Sequence, residues 1–120
     1  EKHSTDIKHS AEILVSNSVL HHLHNPIVFW KAIKFLSKKG SLVHVRDLRR
    51  PSSQVKAIAL LEYHLSGAPS VLKKDFLASL KAAFTVEEVK EQLQKAQLPD
   101  FEVNKVKDRY LDVSGIIKDP

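Results

Sequence analysis

The chain has 120 residues, a formal net charge of +5, 42% hydrophobic and 28% charged residues, which suits one soluble globular domain with a modest core. It contains no cysteine, which excludes disulfides and thiolate metal sites, and no apolar run approaches a membrane span. The positive balance invites a nucleic-acid partner. The basic residues are scattered, however, no zinc-finger or similar signature is present, and aromatics are only 7%, so a solvated basic surface is the expected cause.

Residues 1–10, EKHSTDIKHS, have no apolar period and read as a flexible leading segment. Glu1 to Ser4 lacks signal-peptide character, so a cytoplasmic location is expected. Methionine is absent altogether, which reads as a fragment of a longer chain.

An apolar strand over Glu12–Ser16 follows, nearly uniform in character, as for a strand covered on both faces. It runs into the polar loop Ser16-Asn17-Ser18 and then the cluster His21, His22, His24. Asn25 and Pro26 are a cap and a first-turn residue for a helix over Pro26–Ser37. Its buried face is expected at Phe29, Ile33 and Leu36, with Gly40 closing the unit behind Lys38 and Lys39. A second strand, Ser41–Asp47, completes a strand–helix–strand crossover, so the two strands are predicted parallel. Ligands in such sheets collect beyond the carboxyl ends of the strands, which places Ser16 to His24 and Asp47 to Arg50 at one rim.

Ser52 or Ser53 can cap the next helix, with Val55, Ile58, Leu61 and Leu65 on one face. After Ser66-Gly67-Ala68-Pro69, a helix over about Ser70–Phe84 carries the stripe Leu72, Phe76, Leu80, Ala83. Thr85-Val86-Glu87-Glu88 is a capping box for a third helix to Gln97, burying Val89, Leu93 and Ala96. The alternating stretches Phe101–Lys107 and Tyr110–Ile117, joined by Asp108-Arg109, predict an antiparallel hairpin. Trp30 and Tyr63 are read as core or interface residues.

Three stretches together carry a family resemblance. Ser16-Asn17-Ser18-Val19-Leu20-His21-His22-Leu23-His24-Asn25-Pro26 resembles the post-strand motif of Rossmann-like S-adenosylmethionine-dependent methyltransferases, most of all those acting on quinones and similar small molecules. Lys38-Lys39-Gly40-Ser41-Leu42 is similar to that family's turn into its fifth strand, with Ser41 in place of the second glycine. Asp47-Leu48-Arg49-Arg50-Pro51 resembles its D-x-x-R-P strand exit. The family binds its cofactor mainly through a glycine-rich loop after its first strand and an acidic residue after its second. This chain has three glycines, Gly40, Gly67 and Gly115, and no Gly-x-Gly.

The resemblance therefore implies the C-terminal half of such an enzyme. The implied fold is α/β: a partial Rossmann-like sheet of about four strands, two parallel plus a C-terminal antiparallel hairpin, with three to four helices in one domain over residues 1–120. The intact parent would transfer a methyl group from S-adenosyl-L-methionine to a small-molecule acceptor. This chain alone is expected to bind the cofactor weakly or not at all and to be inactive. The competing reading is a non-catalytic interaction or dimerisation module that kept the scaffold.

The resemblance also suggests roles for residues. The backbone near Asn17 and Ser18 would pass the cofactor's methionine portion, and a histidine would face the substrate. His21 and His22 suit a base at neutral pH, or they pack at a helix start. Asp47 is a site carboxylate or a cap for the following turn. Arg49 is an anion-binding group or a solvated loop cation. No metal is expected, because the histidines lack a third strong ligand nearby. The implied strand order leaves Ile13, Leu14 and Val15 on an open edge, which predicts pairing with a second copy or with the missing N-terminal half, unless residues 1–10 cover it.

Overall fold

The computed structural model describes residues 11–118 as a four-stranded mixed α/β sheet with four helices. The flexible leading segment expected at residues 1–10 lies outside the described residues. Strand β1 (Ala11–Asn17) leads through a 3-10 turn at Leu20–His22 into helix α1 (Pro26–Leu36). Strand β2 (Ser37–Leu48) follows, then α2 (Gln54–Leu65), α3 (Ser70–Ala82) and α4 (Val86–Lys95). The chain closes with β3 (Glu102–Val106) and β4 (Tyr110–Ile116). The sheet order is β1-β2-β4-β3, with β1 parallel to β2 and the other neighbours antiparallel, as the sequence predicts.

The predicted caps are present. Asn25 Oδ1 accepts from Ile27 N–H, and Ser53 Oγ accepts from Lys56 N–H. At α4, Thr85 Oγ1 accepts from Glu88 N–H while Thr85 N–H donates to the Glu88 carboxylate. Each satisfies helix-start donors that folding would otherwise leave unpaired.

The end of α1 departs from expectation. The helix stops at Leu36, and Lys38, Lys39 and Gly40 already belong to β2. The register between β1 and β2 jumps there, from Ala11 opposite Ser37 to Ile13 opposite Leu42. Gly40 takes φ of +90° within that irregularity and donates its N–H to Ile117 O, so the left-handed backbone serves a strand bulge rather than a helix end.

The core lies on one face of the sheet. Val43, Val45, Val103, Leu111 and Val113 meet Trp30 and Ile33 of α1 and Val89 and Leu93 of α4. Trp30 is fully buried and donates its indole N–H to Gln92 Oε1 at 2.9 Å. It takes the central place expected of Leu36, which is exposed.

The opposite sheet face is open. Ile13 and Val15 are 66% and 70% exposed beside exposed Leu42 and Ile116, so β1 is covered on one face and not on both. Helices α2 and α3 pack on each other beyond the carboxyl ends of β1 and β2, and only Leu61 and Leu80 of the two are fully buried. Val55, Ile58 and Leu72 of the predicted stripes are exposed, and Tyr63 is a surface residue rather than a core one.

Candidate functional site

Asp47 is the polar centre of the strand-end rim. Alternation along β2 directs Val43, Val45 and Asp47 to the covered face, so a carboxylate arrives where the pattern otherwise places valine. It is 1% exposed. Its Oδ2 accepts from Leu20 N–H at 2.6 Å, and its Oδ1 from His21 Nδ1 at 2.6 Å and from Leu48 N–H at 2.8 Å. These donors replace the water that burial removes, which is what allows a carboxylate at this depth.

The partner segment is shaped to reach it. β1 ends at Asn17, and Ser18 turns the chain at φ of +60° while its N–H donates to Arg46 O. The 3-10 turn then aims Leu20 N–H and the His21 ring at Asp47. A carboxylate accepts, so the His21 proton sits on Nδ1 and Nε2 carries the free lone pair. This is the base-and-orienter arrangement of general-base catalysis, on a ring whose side chain is 5% exposed.

Among the sequence candidates, the fold joins His21 and Asp47 directly. His22 is exposed, with its ring centroid 4.0 Å from that of His21. His24 is exposed one turn further on. Asn17 and Ser18 are exposed at the end of β1, where Ser18 Oγ donates to Asn17 Oδ1. Among the described residues, no group of three or more His, Asp or Glu side chains is placed to hold a metal ion. Arg49 resolves into a structural role: its guanidinium donates to the carbonyls of Val106, Lys107 and Tyr110, pinning the end of β2 to the β3–β4 turn.

A cleft at the same rim was not legible in the sequence. Ser18, Leu48, Leu65, Leu72, Phe76 and Tyr110 line an open depression of about 410 Å³ between the strand ends and α2–α3. Arg109 also borders it, with its guanidinium 4.6 Å from the Tyr110 ring centroid. The signal available was the run of three helices between β2 and β3, longer than a minimal crossover needs.

Comparison with known proteins bears on fold. No family model and no curated protein matches the sequence. Among solved structures, a possible exported protein from Bordetella parapertussis matches 96% of this chain at 15% identity and TM-score 0.66. A SAM-dependent methyltransferase from Aquifex aeolicus matches 95% at 16% identity and TM-score 0.54. An arsenic(III) S-adenosylmethionine methyltransferase from Chlamydomonas reinhardtii matches 95% at 16% identity and TM-score 0.56. The chain spans 41%, 52% and 40% of these proteins' lengths, respectively. Its four-stranded α/β sheet matches part of the Rossmann-like fold found in S-adenosylmethionine-dependent methyltransferases.

The residues present fit that cofactor only in part. Ser16 Oγ is buried without a hydrogen-bond partner among the described residues, and Asn17 and Ser18 offer further polar atoms at the strand end. The glycines that would let a backbone close around a ribose and adenine are elsewhere: Gly40 in the β2 bulge, Gly67 between α2 and α3, Gly115 in β4.

Proposed function

We propose that this chain is the acceptor-side half of an S-adenosylmethionine-dependent methyltransferase acting on a small molecule of the quinol or phenol kind. The cofactor-holding half is supplied by further polypeptide. The observation that carries this reading is the buried His21–Asp47 pair at the carboxyl ends of two adjacent parallel strands, in a methyltransferase-like fold. The neighbouring cleft is apolar and aromatic through Leu48, Leu72, Phe76 and Tyr110, which suits a ring-bearing acceptor.

When bound, the cofactor supplies an electrophilic methyl group. The chain's own contribution is to orient the acceptor and receive its proton. Asp47 holds the His21 proton on Nδ1, so Nε2 is the atom that takes a hydroxyl proton from the acceptor. Asn17 and Ser18 line the strand end on the cofactor side, and the His22 ring lies beside the base, tilted 40° to it. The open face around Ile13, Val15, Leu42 and Ile116, together with the β1 edge, is where the cofactor half docks; a second copy of this chain is the other possible partner for that edge.

The test is activity in the polypeptide that unites both halves, assayed as S-adenosylhomocysteine release with a panel of phenols and quinols. His21→Gln is expected to lower kcat by roughly 100-fold or more, the contribution typical of a positioned base. Full activity of His21→Gln would remove the pair from the chemistry. The isolated chain is expected to show weak or no cofactor binding by calorimetry, and micromolar binding would refute the division into halves.

A further inference from the structure

A second cavity, of about 530 Å³, opens on a different side of the β3–β4 turn and shares no lining residue with the acceptor cleft. Helix α2 from Lys56 to Tyr63, the first turn of α4 and the ends of β2 and β3 border it. Its size lies within the range of small-molecule sites.

Its charge is unbalanced. Among the described residues, the Arg49 guanidinium donates only to neutral backbone carbonyls, which hold it in place with no carboxylate bonded to it. Lys56 and Lys105 also line the cavity, and neither has a side-chain hydrogen bond or ion pair among the described residues. The other charges there are mostly committed. Arg50 is paired with Glu88 at 3.0 Å. Asp108 accepts from His64 at 2.8 Å and from Arg109 at 2.9 Å, contacts that hold its carboxyl below the usual range. Glu87 is the one lining carboxylate without a partner among the described residues, set against Lys56 and Lys105, which also have none, and Arg49, which bonds only to carbonyls.

One wall is apolar. Pro51, Ala59 and Leu60 line it, and Tyr63, 81% exposed, stands at its rim. The Tyr63 ring meets His64 edge-on at 4.9 Å, and His64 is in turn tied to Asp108. An exposed tyrosine braced in this way offers a flat face at low entropic cost to a ligand.

We propose that this cavity binds an aryl acid, an aromatic ring bearing a carboxylate or phosphate group. The anionic group lies among Arg49, Lys56 and Lys105, and the ring lies against Tyr63 and Leu60. Arg49 serves as the preorganised cation, while the two lysines add long-range attraction that salt screens. Among the described residues, none of the residues lining this cavity hydrogen-bonds to the His21 or Asp47 side chain.

The test titrates the full chain with phenyl phosphate, benzoate, inorganic phosphate and phenol, followed by calorimetry and amide chemical shifts. At least one aryl anion is expected to bind in the submillimolar range, more tightly than inorganic phosphate, and to shift the amides of Lys56, Tyr63 and Lys105, which phenol leaves unchanged. A preference for benzoate assigns a carboxylic acid, and a preference for phenyl phosphate assigns a phosphomonoester. Lys56→Ala and Lys105→Ala are each expected to weaken that binding several-fold. Tyr63→Ala is expected to weaken the aryl anion and leave inorganic phosphate unchanged. All three side chains are exposed, so circular dichroism is expected to show an unchanged fold. Absence of binding by both aryl anions at millimolar concentration would overturn the proposal. So would binding insensitive to both lysine substitutions, or indifference of the aryl anion to Tyr63→Ala. None of these outcomes bears on the activity of His21 variants, so the two readings fail separately.

Discussion

Replacing Asp47 tests whether its carboxylate holds the rim together. Asp47→Ala removes the acceptor for Leu20 N–H and His21 Nδ1–H, both on buried residues, and for the local Leu48 N–H. Hydrogen bonds to a charged acceptor contribute about 1.5–3 kcal/mol each, so the two buried ones set a loss of about 3–6 kcal/mol, reduced toward the lower figure where water enters the space. With a urea m-value of about 1.5 kcal/mol/M, a 3 kcal/mol loss moves the unfolding midpoint down by about 2 M. Asp47→Asn behaves differently. The amide oxygen can still accept from Leu20 N–H, and the amide N–H can donate to His21 Nδ1. That retains these two contacts but turns an amide N–H toward Leu48 N–H, which loses its acceptor, and it moves the imidazole proton to Nε2, the atom proposed to act as base. The Asn variant is therefore expected to lose about 1–3 kcal/mol, less than the Ala variant, while its His21 ring nitrogens exchange roles in nitrogen NMR spectra. A midpoint shift below about 0.5 M for Asp47→Ala would refute the anchoring role. An unchanged His21 tautomer in Asp47→Asn would refute the account of the base.

The remaining predictions test packing, charge and assembly. A Cβ at Gly115 would lie 2.4 Å from the Phe101 ring, which is itself buried, so Gly115→Ala is expected to destabilise by about 1–3 kcal/mol in thermal or urea unfolding, and an unchanged midpoint would refute the close approach. The Asp112 carboxyl is held below its usual range, first by its hydrogen bond from Arg46 and also by that from His44. The unfolded chain then binds a proton at a higher pH than the folded one, so this stabilisation is complete above about pH 4 and is lost as pH falls further. Asp112→Asn is expected to flatten the stability profile in that acid range and leave its slope near neutrality unchanged. Val15 is exposed on β1 whereas Leu14 packs against the core, so Val15→Lys is the substitution that probes the open edge with least disturbance of the fold. Light scattering at micromolar concentration is expected to show self-association that Val15→Lys abolishes, and a monodisperse monomer unaffected by it would exclude pairing of copies through β1.

What the sequence determined by itself was local and periodic. Asn25-Pro26, Ser53 and the box Thr85 to Glu88 mark helix starts because a cap needs only its own neighbours. The alternation in β4 and the short Asp108-Arg109 link sufficed for the hairpin, and the crossover between β1 and β2 required a parallel pair. The motifs at Ser16 to Pro26 and Asp47 to Pro51 drew attention to His21, His22 and Asp47 together, without choosing between the two histidines. Tertiary structure decided what depends on partners distant in sequence. His21 rather than His22 or His24 meets Asp47 because the turn after Ser18 sets the phase of the 3-10 segment. Arg49 becomes a backbone anchor because the β3–β4 turn brings three carbonyls to it, from residues more than fifty positions away. Gly40 reads as a helix end by composition, and only the β1–β2 register assigns it to a bulge. The apolar pattern of β1 is the same whether one face or two are covered. The exposure of Ile13 and Val15 follows instead from where α1 and α4 pack, on the face that Leu14 shares.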